Sequence, residues 1–140
     1  MEYLFPLGRL IFGGFFVNAA YNHFTNVGMM AGYSASKGVP APKLAVVGSG
    51  LLLLAGGLGV ILGFQVQWAL LCLVLFLVPT SFIMHAYWKV TDPMARMGER
   101  GNFQKNMAPL GAVLMLYSLA TPWAMSLGQC ADAAAAAALR

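Results

Sequence analysis

Charge is what this chain has least of. Only 9% of its 140 residues are Asp, Glu, Lys or Arg, where soluble domains carry about a quarter. Acidic residues number four (Glu2, Asp92, Glu99 and Asp132), and histidine occurs twice. The two cysteines, Cys72 and Cys130, stand in an apolar run and in the C-terminal tail, with neither CxxC nor metal-ligand spacing. That argues against a disulfide framework and thiol redox chemistry, and no metal site is expected. Cys72 reads as a small core or lipid-facing residue. GxSxG, HExxH and Walker-type loops are also missing, and the glycine clusters follow no strand, which excludes dinucleotide motifs. No catalytic constellation is evident, and no stretch is left over for a soluble catalytic domain.

What fills the chain instead is hydrocarbon: 60% of residues are hydrophobic and the mean hydropathy is +0.75. Four apolar runs dominate, Leu4 to Phe24, Lys43 to Phe64, Trp68 to Trp88 and Asn106 to Met125. A helix of about 20 apolar residues crosses the roughly 30 Å of bilayer hydrocarbon. Only helices or closed barrels satisfy their backbone there, and these runs lack the alternation of barrel strands. The expected fold is therefore an all-α membrane protein, a bundle of four transmembrane helices with up-down topology. It would occupy residues 1–126, followed by an Ala-rich tail, 127–140, read as a surface helix or frayed end. Glu2 is the only charge before Arg9, so no basic region precedes the first run, which reads as a retained span rather than a cleaved leader.

The basic residues are scattered through loops rather than clustered, which excludes nucleic acid as a partner and leaves membrane lipids. Lys37, Lys43, Lys89, Arg96, Arg100 and Lys105 flank spans on one side, against Arg9, Arg140 and an uncharged loop, Gln65 to Gln67, on the other. The positive-inside rule places loops 25–42 and 89–105 in the cytoplasm and both termini outside.

The spans differ in character. Along the first, Arg9, Gly13, Phe16, Ala20 and His23 share one helical face, and Gly14, Asn18 and Asn22 lie nearly opposite. Polar groups on two faces suggest contact on both sides, with the bundle and with a neighbouring subunit. The loop after it holds Met and Tyr residues suited to an interfacial segment, and Pro40 and Pro42 predict an extended approach to the second span. In that span Ala55, Gly59 and Gly63 repeat every four residues, the small-xxx-small pattern of close helix packing. Pro79 predicts a kink in the third, with Thr80 and Ser81 placed to satisfy the freed carbonyl, and Ser81, His85 and Trp88 on one face. Thr91 to Gln104 reads as a partly amphipathic interfacial loop, and Pro109 falls in the first turns of the fourth span.

In an up-down bundle His23 and His85 fall on the same membrane side. The pair could ligate a haem or metal, or hydrogen-bond a quinone or lipid headgroup beside Trp88 and Asn106. No carboxylate is evident to orient them, which sets haem and metal behind the headgroup, and plain interfacial packing remains the simplest explanation. Arg9 has no acidic partner at its depth, so it is read as snorkelling toward lipid phosphate. With no buried carboxylate, proton-coupled transport is disfavoured.

The layout resembles one family. An Arg-containing first span leads to a loop ending Gly38-Val39-Pro40-Ala41-Pro42, then the glycine-rich Leu54-Ala55-Gly56-Gly57-Leu58. His85-Ala86-Tyr87-Trp88 closes the third span, and Phe103-Gln104-Lys105-Asn106 leads into the fourth. Over roughly Pro6 to Leu116 this is similar to the DoxX family of small four-helix membrane proteins. The resemblance implies a multi-pass protein of the bacterial cytoplasmic membrane, often linked to redox systems such as a thiosulfate:quinone oxidoreductase. Arg9, His85 and Asn106 match its pattern. His23 stands where many relatives have lysine, and Leu53 where many have glutamate, removing an ion pair. The expected role is an accessory or structural subunit of a larger membrane redox or energy-converting complex, with other membrane subunits as partners. The alternative is a quinone-linked oxidoreductase component; no cofactor is required by the sequence.

Overall fold

Prolines and glycines set most helix boundaries. In the computed structural model, which describes residues 3–138, α1 runs Leu4–Thr25 and α2 covers Val27–Ser36. Pro42 opens α3 (Pro42–Leu62) at its first turn, where a missing N–H costs nothing. Gly63 closes it at φ 61, a left-handed conformation that glycine adopts without strain. After a short turn α4 spans Val66–Pro79 and widens into a π-helical segment, Thr80–Met84, before a 3₁₀ turn at Tyr87–Lys89. Pro93 then opens α5 (Pro93–Tyr117), capped by the Asp92 carboxylate, which accepts from the Ala95 N–H at 2.7 Å. The Ala-rich α6 covers Leu127–Ala138. Glu2 and Arg140, both invoked in the charge argument, lie outside the described residues.

Among the described residues three helical stretches are long and apolar enough to cross a membrane: Leu4–Thr25, Pro42–Leu62 and Val66–Lys89. The fourth run behaves differently from expectation. Its helix begins at Pro93 rather than Asn106 and ends at Tyr117 rather than Met125, so Pro109 lies mid-helix. At 1.5 Å per residue α5 is about 37 Å long, but its apolar part beyond Asn106 covers only about 18 Å. The reason is local: Asp92-Pro93 is a strong helix-start signal, and it extends the helix through what composition alone marks as a loop. Ala41 also departs from the extended approach expected before Pro42, adopting φ 47 so that its carbonyl accepts from Ala45 N–H.

The helices pack in the order α1, α3, α4, α5, with α2 lying over α3. Phe16, Leu53, Val60, Leu70, Leu73, Leu77 and Val113 form the buried core. Leu4, Leu7, Ile11, Leu44, Leu51 and Leu75 point outward, as expected where the surrounding solvent is hydrocarbon. The face of Arg9, Gly13, Phe16 and Ala20 is the buried face of α1, while Asn18 and Asn22 are exposed.

Backbones touch at α1 and α3. A Cβ on Gly13 would lie 2.6 Å from the Gly57 carbonyl oxygen, and one on Gly57 would lie 2.8 Å from that of Gly13. The expected stripe of Ala55, Gly59 and Gly63 is split by contrast. Ala55 is exposed, Gly59 abuts Ala69 of α4, and Gly63 is the helix cap. The physical reason is that α3 has neighbours on two sides. Gly50 and Gly57 meet α1 while Gly56 and Gly59 meet α4, so one four-residue stripe cannot serve both.

Candidate functional site

Pro79 has no N–H to give, and the chain beyond it leaves α-helical geometry. The Ser81 hydroxyl donates to the Leu77 carbonyl at 2.6 Å, and not to the Leu75 carbonyl that Pro79 leaves without its usual donor. The His85 N–H bonds five residues back to Thr80, and the helix ends there at φ −110. His85 is thus held at a helix break beside α5, and Trp88 leaves the face of Ser81 for the separate 3₁₀ turn.

Four side chains from three elements converge at this end. His85 Nδ1 lies 2.8 Å from Glu99 Oε2 of α5. Lys37 Nζ, just past α2, lies 2.7 Å from Glu99 Oε1, and the Tyr33 hydroxyl of α2 donates to the same oxygen. The Glu99 side chain is only 12% exposed. Burial by itself would raise its pKa, but hydrogen bonds from Lys37, Tyr33 and His85 outweigh that and hold the carboxyl at about 2. The hydrogen bond to Glu99 raises the Lys37 pKa against the opposing effect of burial. Burial, then the bond to Glu99, raises that of Tyr33.

Ionised Glu99 can only accept, so His85 Nδ1 carries the proton in this pair. The other ring nitrogen, Nε2, has no hydrogen-bond partner among the described residues. Phe82, Tyr87, Trp88 and Phe103 form an aromatic wall beside the site, edge-to-face except for the tilted Phe82–Trp88 pair, with centroids 5.1 to 6.1 Å apart.

The expectation that His85 lacks an orienting carboxylate is therefore corrected, by a Glu99 that is partly buried and lies outside the three spans. Composition marks 89–105 as loop, which hides Glu99. Helical spacing from Pro93 puts Glu99, Phe103 and Asn106 on one face, and the Asp92-Pro93 start was the available signal. Tyr33 and Lys37 carried no such signal, because only tertiary packing brings α2 to α5.

The remaining expected residues scatter. His23 Nδ1 pairs with its own helix at the Ala19 carbonyl, 2.9 Å away, and its ring packs edge-on against Phe76. Among the described residues no hydrogen bond or ring contact joins it to His85. Trp88 is 46% exposed on the aromatic wall. Asn106 is half-buried and makes no side-chain hydrogen bond among the described residues.

Arg9 turns inward, which corrects the snorkelling expectation. It is 5% exposed and donates to the carbonyls of Ala124 (2.9 Å), Ile61 (2.9 Å) and Met125 (3.1 Å). Ile61 lies in the last turn of α3, where carbonyls lack helical partners, so the guanidinium caps that helix and ties down the segment after α5.

A protein-family model, DoxX, matches residues 4–86, more than half of the chain. The chain belongs to the DoxX family. No curated protein and no solved structure matches it. The DoxX match takes in α1 to α4, Tyr33, Lys37 and His85, and stops short of Glu99. In this DoxX protein the acceptor that gathers the polar cluster is supplied from outside the matched region.

Proposed function

We propose that this DoxX protein is a small subunit of a redox assembly in the bacterial cytoplasmic membrane, and that His85 meets the headgroup of a quinone there. The observation that carries the reading is the His85 Nδ1 contact to Glu99 at 2.8 Å with Nε2 left without a partner. A quinone couples electron transfer to proton transfer at its oxygens. The chain's part is the proton: neutral His85, with Nδ1–H on Glu99, offers the Nε2 lone pair to a quinol hydroxyl. The Glu99 carboxylate holds Nδ1 as the donor throughout and so leaves Nε2 to face the headgroup, and Trp88 and Phe103 offer faces against which a flat ring can stack. The electrons pass to a redox centre on a partner subunit.

The basic residues near this end support a cytoplasmic placement, with both termini outside and α5 as the fourth crossing of an up-down bundle. Assembly with a larger partner is supported by Met94 and Met97, 74% and 67% exposed on the part of α5 outside the three spans. The test is to purify the protein from its native membrane in mild detergent and measure quinone in the lipid extract and electron transfer through the assembly. Co-purified quinone and partners, with activity lost in His85→Ala while the complex stays intact, are expected. A chain that isolates alone without quinone, or a variant with undiminished electron transfer, would sink the reading.

A further inference from the structure

Lipid chains offer an amide nothing to bond to, yet α1 turns two amides toward them. Asn18 and Asn22 point away from the bundle, opposite the buried face of Arg9, Gly13, Phe16 and Ala20. Both are exposed, and neither side chain makes a hydrogen bond among the described residues. Ser49 and Ser81 of the other two spans, by contrast, each donate to a carbonyl of their own helix. Asn22 stands about 4.5 Å from the end of α1 at Thr25, within reach of headgroups. Asn18 stands about 10 Å from that end and about 21 Å from the start at Leu4. With hydrocarbon roughly 30 Å thick, that depth is dry, and an unsatisfied amide there is costly.

The surroundings narrow the partner. Leu7, Ile11, Gly14, Asn18 and Asn22 form one stripe along α1, and that stripe bears no charge. An acidic or basic partner therefore finds no counter-ion on it. What answers Asn18 must be a neutral group that both donates and accepts, held at the same depth in hydrocarbon. An amide is its own complement, with an oxygen to accept and an NH2 to donate. A second copy, related by a twofold axis along the membrane normal, brings Asn18 to Asn18 at equal depth by symmetry. Asparagine side chains bond across membrane helices in this way. Gly14, one turn away, permits the approach: a Cβ there meets nothing within 4 Å, so the space in front of the backbone is open.

We infer that two copies of this chain pair through the outer face of α1, with the two Asn18 amides hydrogen-bonded across the twofold axis. The opposite face of α1 stays packed on α3, so pairing asks for no rearrangement of the bundle. Leu7 and Ile11, 52% and 67% exposed, exchange lipid for the neighbouring helix. The interface uses neither His85 nor Glu99 and does not depend on the quinone reading.

The experiment uses the full chain in phosphatidylethanolamine–phosphatidylglycerol liposomes, with Cys72→Ala and a donor or acceptor dye on the exposed Cys130. Energy transfer between chains reconstituted together should follow a monomer–dimer equilibrium as lipid dilutes them. Asn18→Leu should weaken the dimer about tenfold. Gly14→Leu, which meets nothing within its own bundle, should do the same by holding the helices apart, and His85→Ala should leave pairing intact. To locate the interface, both native cysteines are replaced and single cysteines are oxidised in native membranes. Ile11→Cys chains should join one another, and chains carrying Leu51→Cys, exposed on α3, should not. Energy transfer no greater than random mixing, or a dimer indifferent to Asn18→Leu, overturns the inference. So does an Ile11→Cys product joined to a different protein in place of a second copy.

Discussion

Removing the Glu99 carboxylate would leave Lys37, Tyr33 and His85 with donors aimed at a site that no longer bears charge. Glu99→Gln keeps the shape and removes the anion, so the partly buried Lys37 loses its counter-ion. Charge-assisted hydrogen bonds of this kind contribute roughly 1–3 kcal/mol each, less where a partner such as Lys37 remains partly solvated. The linkage has a definite sign. The Glu99 pKa falls from 4.5 to about 2 on folding, so its stabilising contribution is full above pH 4.5 and is lost as pH falls from there toward 2. Thermal unfolding in detergent should therefore show wild type losing stability across that window. Glu99→Gln should be less stable at neutral pH and flatter over the acid range; parallel acid profiles for the two proteins would contradict this.

At the scale of helices, the close crossing of α1 and α3 makes a position-specific prediction about glycine. Gly57→Leu would drive a side chain into the Gly13 carbonyl and Val17, both within about 3 Å of a Cβ there, and overpacking of this kind costs about 1–3 kcal/mol. Gly14→Leu, one residue from the crossing, meets nothing within 4 Å and should gain helix propensity, worth up to about 1 kcal/mol. Unfolding by denaturing detergent should lower the midpoint for the first and hold or raise it for the second. Both residues look alike in the sequence. Glycine abundance announces close packing, but which glycine meets which helix depends on rotation about the helix axis, and α3 divides its small residues between two neighbours. The same limit applies to α5. Its start was written in Asp92-Pro93, yet a hydropathy window averages its polar first half with its apolar second and sees a loop followed by a span. The partners of Glu99 and Arg9 are illegible for a related reason, since they are distant in sequence and, for Arg9, are backbone carbonyls that carry no residue code.

Over the whole molecule, the two polar knots define its ends. Arg9 gathers the start of α1, the end of α3 and the segment after α5, while Glu99 gathers the end of α2, the break after α4 and the first turns of α5. If the knots lie on opposite sides of the bilayer, α5 must cross between them despite its polar first half. Its length of about 37 Å is sufficient. Cys130 on α6 is exposed and offers a native reporter beyond α5, and Ala95, exposed in its first turn, offers a site for a second. In a Cys72→Ala background, a membrane-impermeant maleimide applied to intact cells should label Cys130. Ala95→Cys, made with Cys130→Ala, should resist until the membrane is permeabilised. The opposite pattern would reverse the orientation while keeping the crossing. Labelling of both from one side would mean that α5 does not cross, leaving three spans, and would remove the up-down bundle from which the separation of the two knots is argued.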